Sequence, residues 1–307
     1  MAKIYDFSTT ASQIFVCGGC EGKFNTLFSH IIPQEKEEAP NPFVDDEVLC
    51  DMGEPESQSC NDALIIVTGN NRFGYKPLSH YTSLLEGYNE TLKETNTHVL
   101  FIRGVDDDPS YFEDNLINLS NIKTIEDYSI VKINKHVILC IGGGVSYNRI
   151  WKTERMSVCP NPSSIQWANE QPVLDVEKIN EILASDVKIT SVISYAQPIP
   201  SKSTQPTALV YWSKLDKTLK TEWDHLNTKL IQIKTHLSSK KMKPKWWVCG
   251  EYSERTCSER WSIPFFNVSI HRDGLLNIEE KTESNRNRVS WGGDVSTYSL
   301  PIMLRRD

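Results

Sequence analysis

Six short apolar runs, each breaking off into a glycine or polar loop, set the strongest limit on what this chain can fold into. They are Ile14–Cys17, Ala63–Thr68, His98–Arg103, Val137–Ile141, Ile189–Ser194 and Trp246–Cys249. Runs of this kind, without polar alternation, read as strands covered on both faces, as in largely parallel sheets. Between them apolar residues recur at helical spacing. One stripe is Leu78, Tyr81, Leu84, Leu85, Tyr88 and Leu92, a second Val176, Ile179, Ile182 and Leu183, and a third Leu215, Leu219, Trp223, Leu226, Leu230 and Ile233. Core-facing helix sides explain all three stripes. The alternation implies an α/β layered fold, in which ligands sit beyond the carboxyl ends of the strands. The loops after the six runs are where functional residues are to be sought.

With 307 residues, 39% of them hydrophobic, the chain can bury a large core without disulfides or metal ions. Its 8 cysteines are scattered, mostly in or beside apolar runs, and no secretory or transit segment precedes "MAKIYDFSTT". A reducing, cytoplasmic setting is expected. No apolar run is long enough to span a bilayer. The formal charge of −7 argues against a nucleic-acid partner, the local "SSKKMKPK" at 238–245 reading as a solvated loop after a helix. Residues 31–62, acidic and Pro-rich, read as a surface insertion in a body spanning 1–280. Residues 281–307 read as a tail, in which Trp291, Tyr298, Leu300 and Ile302 are apolar anchors for a protein partner.

Taken in order, the loops are "VCGGCEGKF", "ALIIVTGNNRFG", "VLFIRGVDDDPSYF", "ILCIGGGVSYNR", "VISYAQP" and "WWVCGEYSER". Over roughly residues 13–275 their order and spacing resemble the calcineurin-like metallophosphoesterases, especially the small bacterial and phage members. The family's motifs run GDxHG, GD, GNHD, GGG-x-S, a lone His and GHxH. "FIRG" followed by "DDPSYF" carries the closest likeness. The resemblance implies a four-layer α/β/β/α sandwich with a two-metal phosphoesterase centre.

The residues that would do the chemistry differ. The positions of the first metal's ligands hold Gly19, Glu21, Asn70 and Ser253. Those of the second hold Asn70, Val105, Tyr195 and Glu251, and the general-acid position holds Asp106. A two-metal hydrolase needs about four ligands per ion and an anionic bridge between the ions. Gly19 and Val105 supply no ligand, and Asn70 is a neutral bridge. The expectation is therefore a catalytically inactive member, without cofactor, serving as a protein-binding or structural assembly module. An enzyme alternative keeps a rebuilt, oxygen-rich site at Glu21, Asn70, Asp106 and Glu251 for one Mg²⁺ or Ca²⁺. Cys17-Gly-Gly-Cys20 then reads as a degenerate GDxHG loop, with a zinc site formed by Cys17, Cys20, Cys249 and Cys257 as the rival. The glycines at 142–144 lack the Lys-Ser/Thr of a phosphate loop and read as a tight turn. Arg72 and Arg103 read as ion-pair partners.

Overall fold

A computed structural model describes residues 2–32, 60–147, 149–150, 154, 158, 176–185, 187–198, 207–239, 244, 246–250, 265–267, 275–277 and 290–292. Among them the strands form two six-stranded sheets. The first runs β1 (Ile4–Asp6), β6 (Ser129–Ile133), β7 (His136–Ile141), β8 (Ser191–Ser194), β9 (Trp247–Cys249), β10 (Phe265–Asn267). The second runs β12 (Ser290–Gly292), β11 (Leu275–Asn277), β2 (Gln13–Gly18), β3 (Ala63–Thr68), β4 (His98–Ile102), β5 (Ile122–Thr124). Pairing is parallel along β2 to β5, along β7 to β10 and between β1 and β6. It is antiparallel in the β6–β7 hairpin and on both sides of β11. The protein is thus a mixed α/β fold with mainly parallel sheets, and all six apolar runs contain strands.

Alternating side chains on each strand divide the interior into three apolar clusters. Phe15 and Cys17 of β2 join Ile65 and Val67 of β3 under the helices α1 (Phe24–Ile31) and α2 (Leu78–Glu94). Ile14 and Val16, one residue out of phase, meet Val131, Ile138 and Ile193 of the other sheet. The outward residues of that other sheet, among them Leu139, Val192 and Trp247, pack with Ile179, Ile182, Leu219, Trp223 and Leu230. These last belong to the helices α4 (Val176–Ala184) and α6 (Lys217–Ser239). Between these two helices lies the shorter α5 (Thr207–Trp212), and α3 (Ser110–Glu113) follows β4. Each fully buried large apolar side chain contributes roughly 1.5–3 kcal/mol.

The structure corrects several expectations. Leu78 and Leu215 are 39% and 60% exposed and do not face the core. Leu78 opens α2 at its solvent end, and Leu215 lies in the turn between α5 and α6. Both ends of the range 31–62, expected as a surface insertion, belong to the body: Ile31 is a buried residue of α1, and Cys60 is buried again. Asp62 joins the body by donating its N–H to Thr95 O. The stretch 33–59 lies outside the described residues. Within the stretch read as a tail, Ser290–Gly292 is a sheet edge, and the Trp291 backbone pairs with Leu276. Tyr298, Leu300 and Ile302 lie outside the described residues. Among the described residues no helix is long and apolar enough to cross a membrane.

Candidate functional site

Loops from both sheets converge at the carboxyl ends of β2, β3, β4, β7 and β8, where the sequence places its candidates. They converge so closely that little room remains. A Cβ added to Gly19 would stand 1.5 Å from Gly69 O, and one added to Gly104 would stand 2.0 Å from Asn70 N. Contacts below 3.0 Å are sterically excluded, so both glycines are places where backbone touches backbone. Glu21 N–H donates to Asn70 O at 2.8 Å, which ties the first loop to the second.

Tyr195 fills the space between the sheets' loops. It is 4% exposed, and with Val105, 8% exposed, it belongs to the apolar cluster beneath α4 and α6. Its ring lies against Gly69 and Gly144, whose added Cβ atoms would stand 2.4 Å and 2.8 Å from it. Asn70 Nδ2 donates to the Tyr195 hydroxyl at 3.0 Å, and Asn70 Oδ1 accepts the Asp106 N–H at 3.2 Å. Both ends of the amide are engaged in joining loops. Glu21 and Arg72 stand at the exposed rim, 4.0 Å apart, and with Asn70 they hold left-handed backbone at φ of 50°, 61° and 53°. The structure thus brings Gly19, Glu21, Asn70, Val105, Asp106 and Tyr195 into one locus. Glu251 and Ser253 lie outside the described residues. Among the described residues no group of three His, Cys, Asp or Glu side chains is placed to hold a metal ion.

Asp107 is not among the positions of the expected metal ligands or general acid, yet it organises the loops. Fully buried, its carboxylate accepts the N–H groups of Asn71 at 2.9 Å, Phe73 at 3.1 Å and Gly104 at 2.8 Å. It therefore pins the loop after β3 to the loop after β4. Phe73, at 0% exposure, anchors the same loop among Phe24, Tyr81, Phe101, Tyr111 and Phe112. Neighbouring Asp108 instead accepts Ser110 N and Oγ at the start of α3. The signal was the triple aspartate at 106–108, three consecutive carboxylates with three different surroundings.

Burial pushes the Asp107 carboxyl up to about 7, with a further push from Asp106, against the pull of its three N–H donors. An aspartate raised above its unfolded value of about 3.9 binds its proton more tightly in the folded state. Its contribution to stability is therefore greatest below pH 4 and is lost as pH rises through about 7. The melting-temperature advantage of the wild type over Asp107→Asn is expected to shrink between pH 4.5 and 7.5. An advantage that grew over that interval would mean the carboxylate, and not the acid, is the form the fold prefers.

The remaining motifs are structural. Arg103, 1% exposed, donates from Nε and Nη2 to Asp127 Oδ2 at 3.1 Å and 2.6 Å. The glycine turn at 142–144 wraps this pair: added Cβ atoms at Gly142 and Gly143 would meet Asp127 Oδ1 at 2.0 Å and Arg103 Nη2 at 2.4 Å. Cys17 and Cys20 are buried thiols of the cluster under α1, and burial pushes Cys20 up to about 12. Cys249 faces the opposite outer cluster, so two full sheets separate it from Cys17. That placement removes the four-cysteine zinc site, and Cys257 lies outside the described residues. No family model, no curated protein and no solved structure matches this chain.

Proposed function

We propose that this chain is a catalytically inactive relative of the calcineurin-like metallophosphoesterases, with their four-layer α/β/β/α sandwich, and that it acts as a protein-binding or assembly module. The contact of Gly19 with Gly69 O is the observation that carries the reading. The position that would offer an aspartate to a first metal has no room for any side chain. Tyr195 and Val105 supply an aromatic plug and an aliphatic group where the resemblance asks for ligands of a second. The three clusters and the sheet order support the sandwich: apolar residues lie between the sheets and again on each outer face.

The protein is expected to hydrolyse neither p-nitrophenyl phosphate nor bis-p-nitrophenyl phosphate with Mn²⁺, Mg²⁺, Ni²⁺ or Zn²⁺. Metal-dependent turnover that vanished in a Glu21→Ala, Glu251→Ala double variant would contradict the inactive reading and favour the carboxylate site. Assembly has its own test. Because Ser290–Gly292 completes a sheet of this chain, truncation after Asp294 spares that edge and removes Tyr298, Leu300 and Ile302. The truncated chain is expected to keep its melting temperature and lose higher-order assembly in light scattering. A full-length chain that is monomeric at all concentrations would overturn the assembly half.

A further inference from the structure

The turn that joins α5 to α6 holds apolar side chains out to solvent on a fixed base. Val210, Tyr211 and Leu215 are 45%, 59% and 60% exposed. Trp212 packs on the outer cluster of the first sheet, with its ring perpendicular to that of Tyr211 and centroids 5.2 Å apart. Arg149, from the segment after β7, clamps the base. Its Nε donates to Asp216 Oδ2 at 2.6 Å and its Nη2 to Thr218 Oγ1 at 2.6 Å, while the guanidinium also pairs with Glu222. The acids of the turn are thereby engaged, as Asp224 is by Lys220 at 2.8 Å. Lys214 and Lys217, which flank Leu215 in sequence, are exposed and have no ion-pair partner among the described residues. Single exposed apolar residues need no explanation, but three within six residues of one clamped turn make a patch.

Charge is segregated along the chain in a way that fits this patch. Residues 207–245 hold nine lysines against three carboxylates, a net of +6. Residues 33–59 hold nine carboxylates against one lysine, a net of −8, so this stretch alone accounts for the chain's −7. At its centre stands "PFVDDEVL", 42–49, in which Phe43, Val44, Val48 and Leu49 bracket three consecutive acids. Apolar anchors around carboxylates complement apolar side chains around two unpaired lysines.

The acidic stretch cannot reach the patch of its own chain. It leaves the body at Ile32 and rejoins it at Cys60, both against the cluster under α1 and α2, and Cys60 precedes the amino end of β3. The α5–α6 turn belongs to the opposite outer cluster and, because α6 leads back to the amino end of β9, stands at the carboxyl ends of the strands. The two places are separated by the 23 residues of α6, about 34 Å, and by three apolar interiors of about 10 Å each. The straight line between them is about 45 Å, through the body. Phe43 stands eleven residues past Ile32 and Leu49 eleven before Cys60, a reach of at most about 40 Å.

We propose that residues 42–49 of one copy dock on the α5–α6 turn of a second copy, the acids meeting Lys214 and Lys217 and the apolar residues covering Tyr211 and Leu215. The inference rests on the assembly reading above and names its contact. Such an interface is heterologous, since each copy offers one patch and one stretch, and it adds copies head to tail.

The test is sedimentation velocity of the full chain over a concentration series, with two double variants. Tyr211→Glu, Leu215→Glu removes the patch, and Phe43→Ser, Leu49→Ser removes the anchors of the stretch. Tyr211 and Leu215 are exposed, so the first variant keeps the fold, and melting temperatures verify both. The wild type is expected to associate, less so at high salt, and each variant to weaken association about tenfold or more. An equimolar mixture of the two variants is expected to form one-to-one pairs and nothing larger, because one intact patch and one intact stretch remain. Wild-type association that both variants leave unchanged would overturn the inference while the assembly reading stands. Variants that stay monomeric alone and also when mixed would overturn it too. A wild type monomeric throughout would overturn both.

Discussion

An aspartate at position 19, the residue that the resemblance to metallophosphoesterases asks for, is expected to unsettle the fold and not to rebuild a metal site. The reason is steric before it is electrostatic. The first carbon of any side chain there would sit 1.5 Å from a backbone oxygen, Gly69 O, which cannot swing away as a flexible side chain could. Relief requires the strand ends of β2 and β3 to separate, yet Glu21 N–H to Asn70 O and Thr68 Oγ1 to Cys17 O, at 2.8 Å each, hold them together. Overpacking of this kind costs about 3 kcal/mol or more. Gly19→Asp and Gly19→Ala should both lower the denaturation midpoint markedly. Asp106→His, at a partly exposed position, should change the unfolding free energy by no more than about 0.5 kcal/mol. Wild-type stability in Gly19→Ala would show that the loops stand farther apart than their contact implies.

The second large effect is expected at Asp127. Removing one partner of a buried ion pair leaves the other as an uncompensated charge, at a cost of about 3–5 kcal/mol. Asp127→Ala would strand the Arg103 guanidinium, 1% exposed and enclosed by the glycine turn at 142–144. Adding Arg103→Met to that variant should recover most of the loss, because an apolar pair of similar volume needs no counter-charge. Chemical denaturation of the two single variants and the double variant gives the coupling directly. Additive losses would mean that the pair is solvated and contributes little.

Strands and helices differed in how plainly the sequence announced them. β3 is legible because a run of six residues without polar alternation needs cover on both faces, and the structure supplies it from α1 and α2 on one side and the first sheet on the other. β1, β5, β10, β11 and β12 span three residues each, too short for any periodicity to register. α1 is legible by the same rule as the three helical stripes, although it is not one of them: Phe24, Leu27, Phe28 and Ile31 are all buried and stand at the i, i+3, i+4, i+7 spacing of one helix face. The site divides in the same way. Spacing within each loop brought Gly19, Asn70, Val105 and Tyr195 into view as candidates. Their mutual contact lay outside its reach, because the distance from Gly19 to Gly69 O depends on how two loops some fifty residues apart are drawn together. Nor does the run of aspartates at 106–108 say which carboxylate turns inward. That is decided by the three N–H groups awaiting Asp107, two of which come from another loop.

Closure of the strand-end loops is most directly tested by titrating purified, chelator-treated protein with Mn²⁺ in a calorimeter and counting bound ions by elemental analysis. With Gly19 against Gly69 O and Tyr195 filling the space between the loops, no stoichiometric binding is expected and the melting temperature should not respond to Mn²⁺. Two ions bound per chain, with a rise in melting temperature lost on Asn70→Ala substitution, would contradict it.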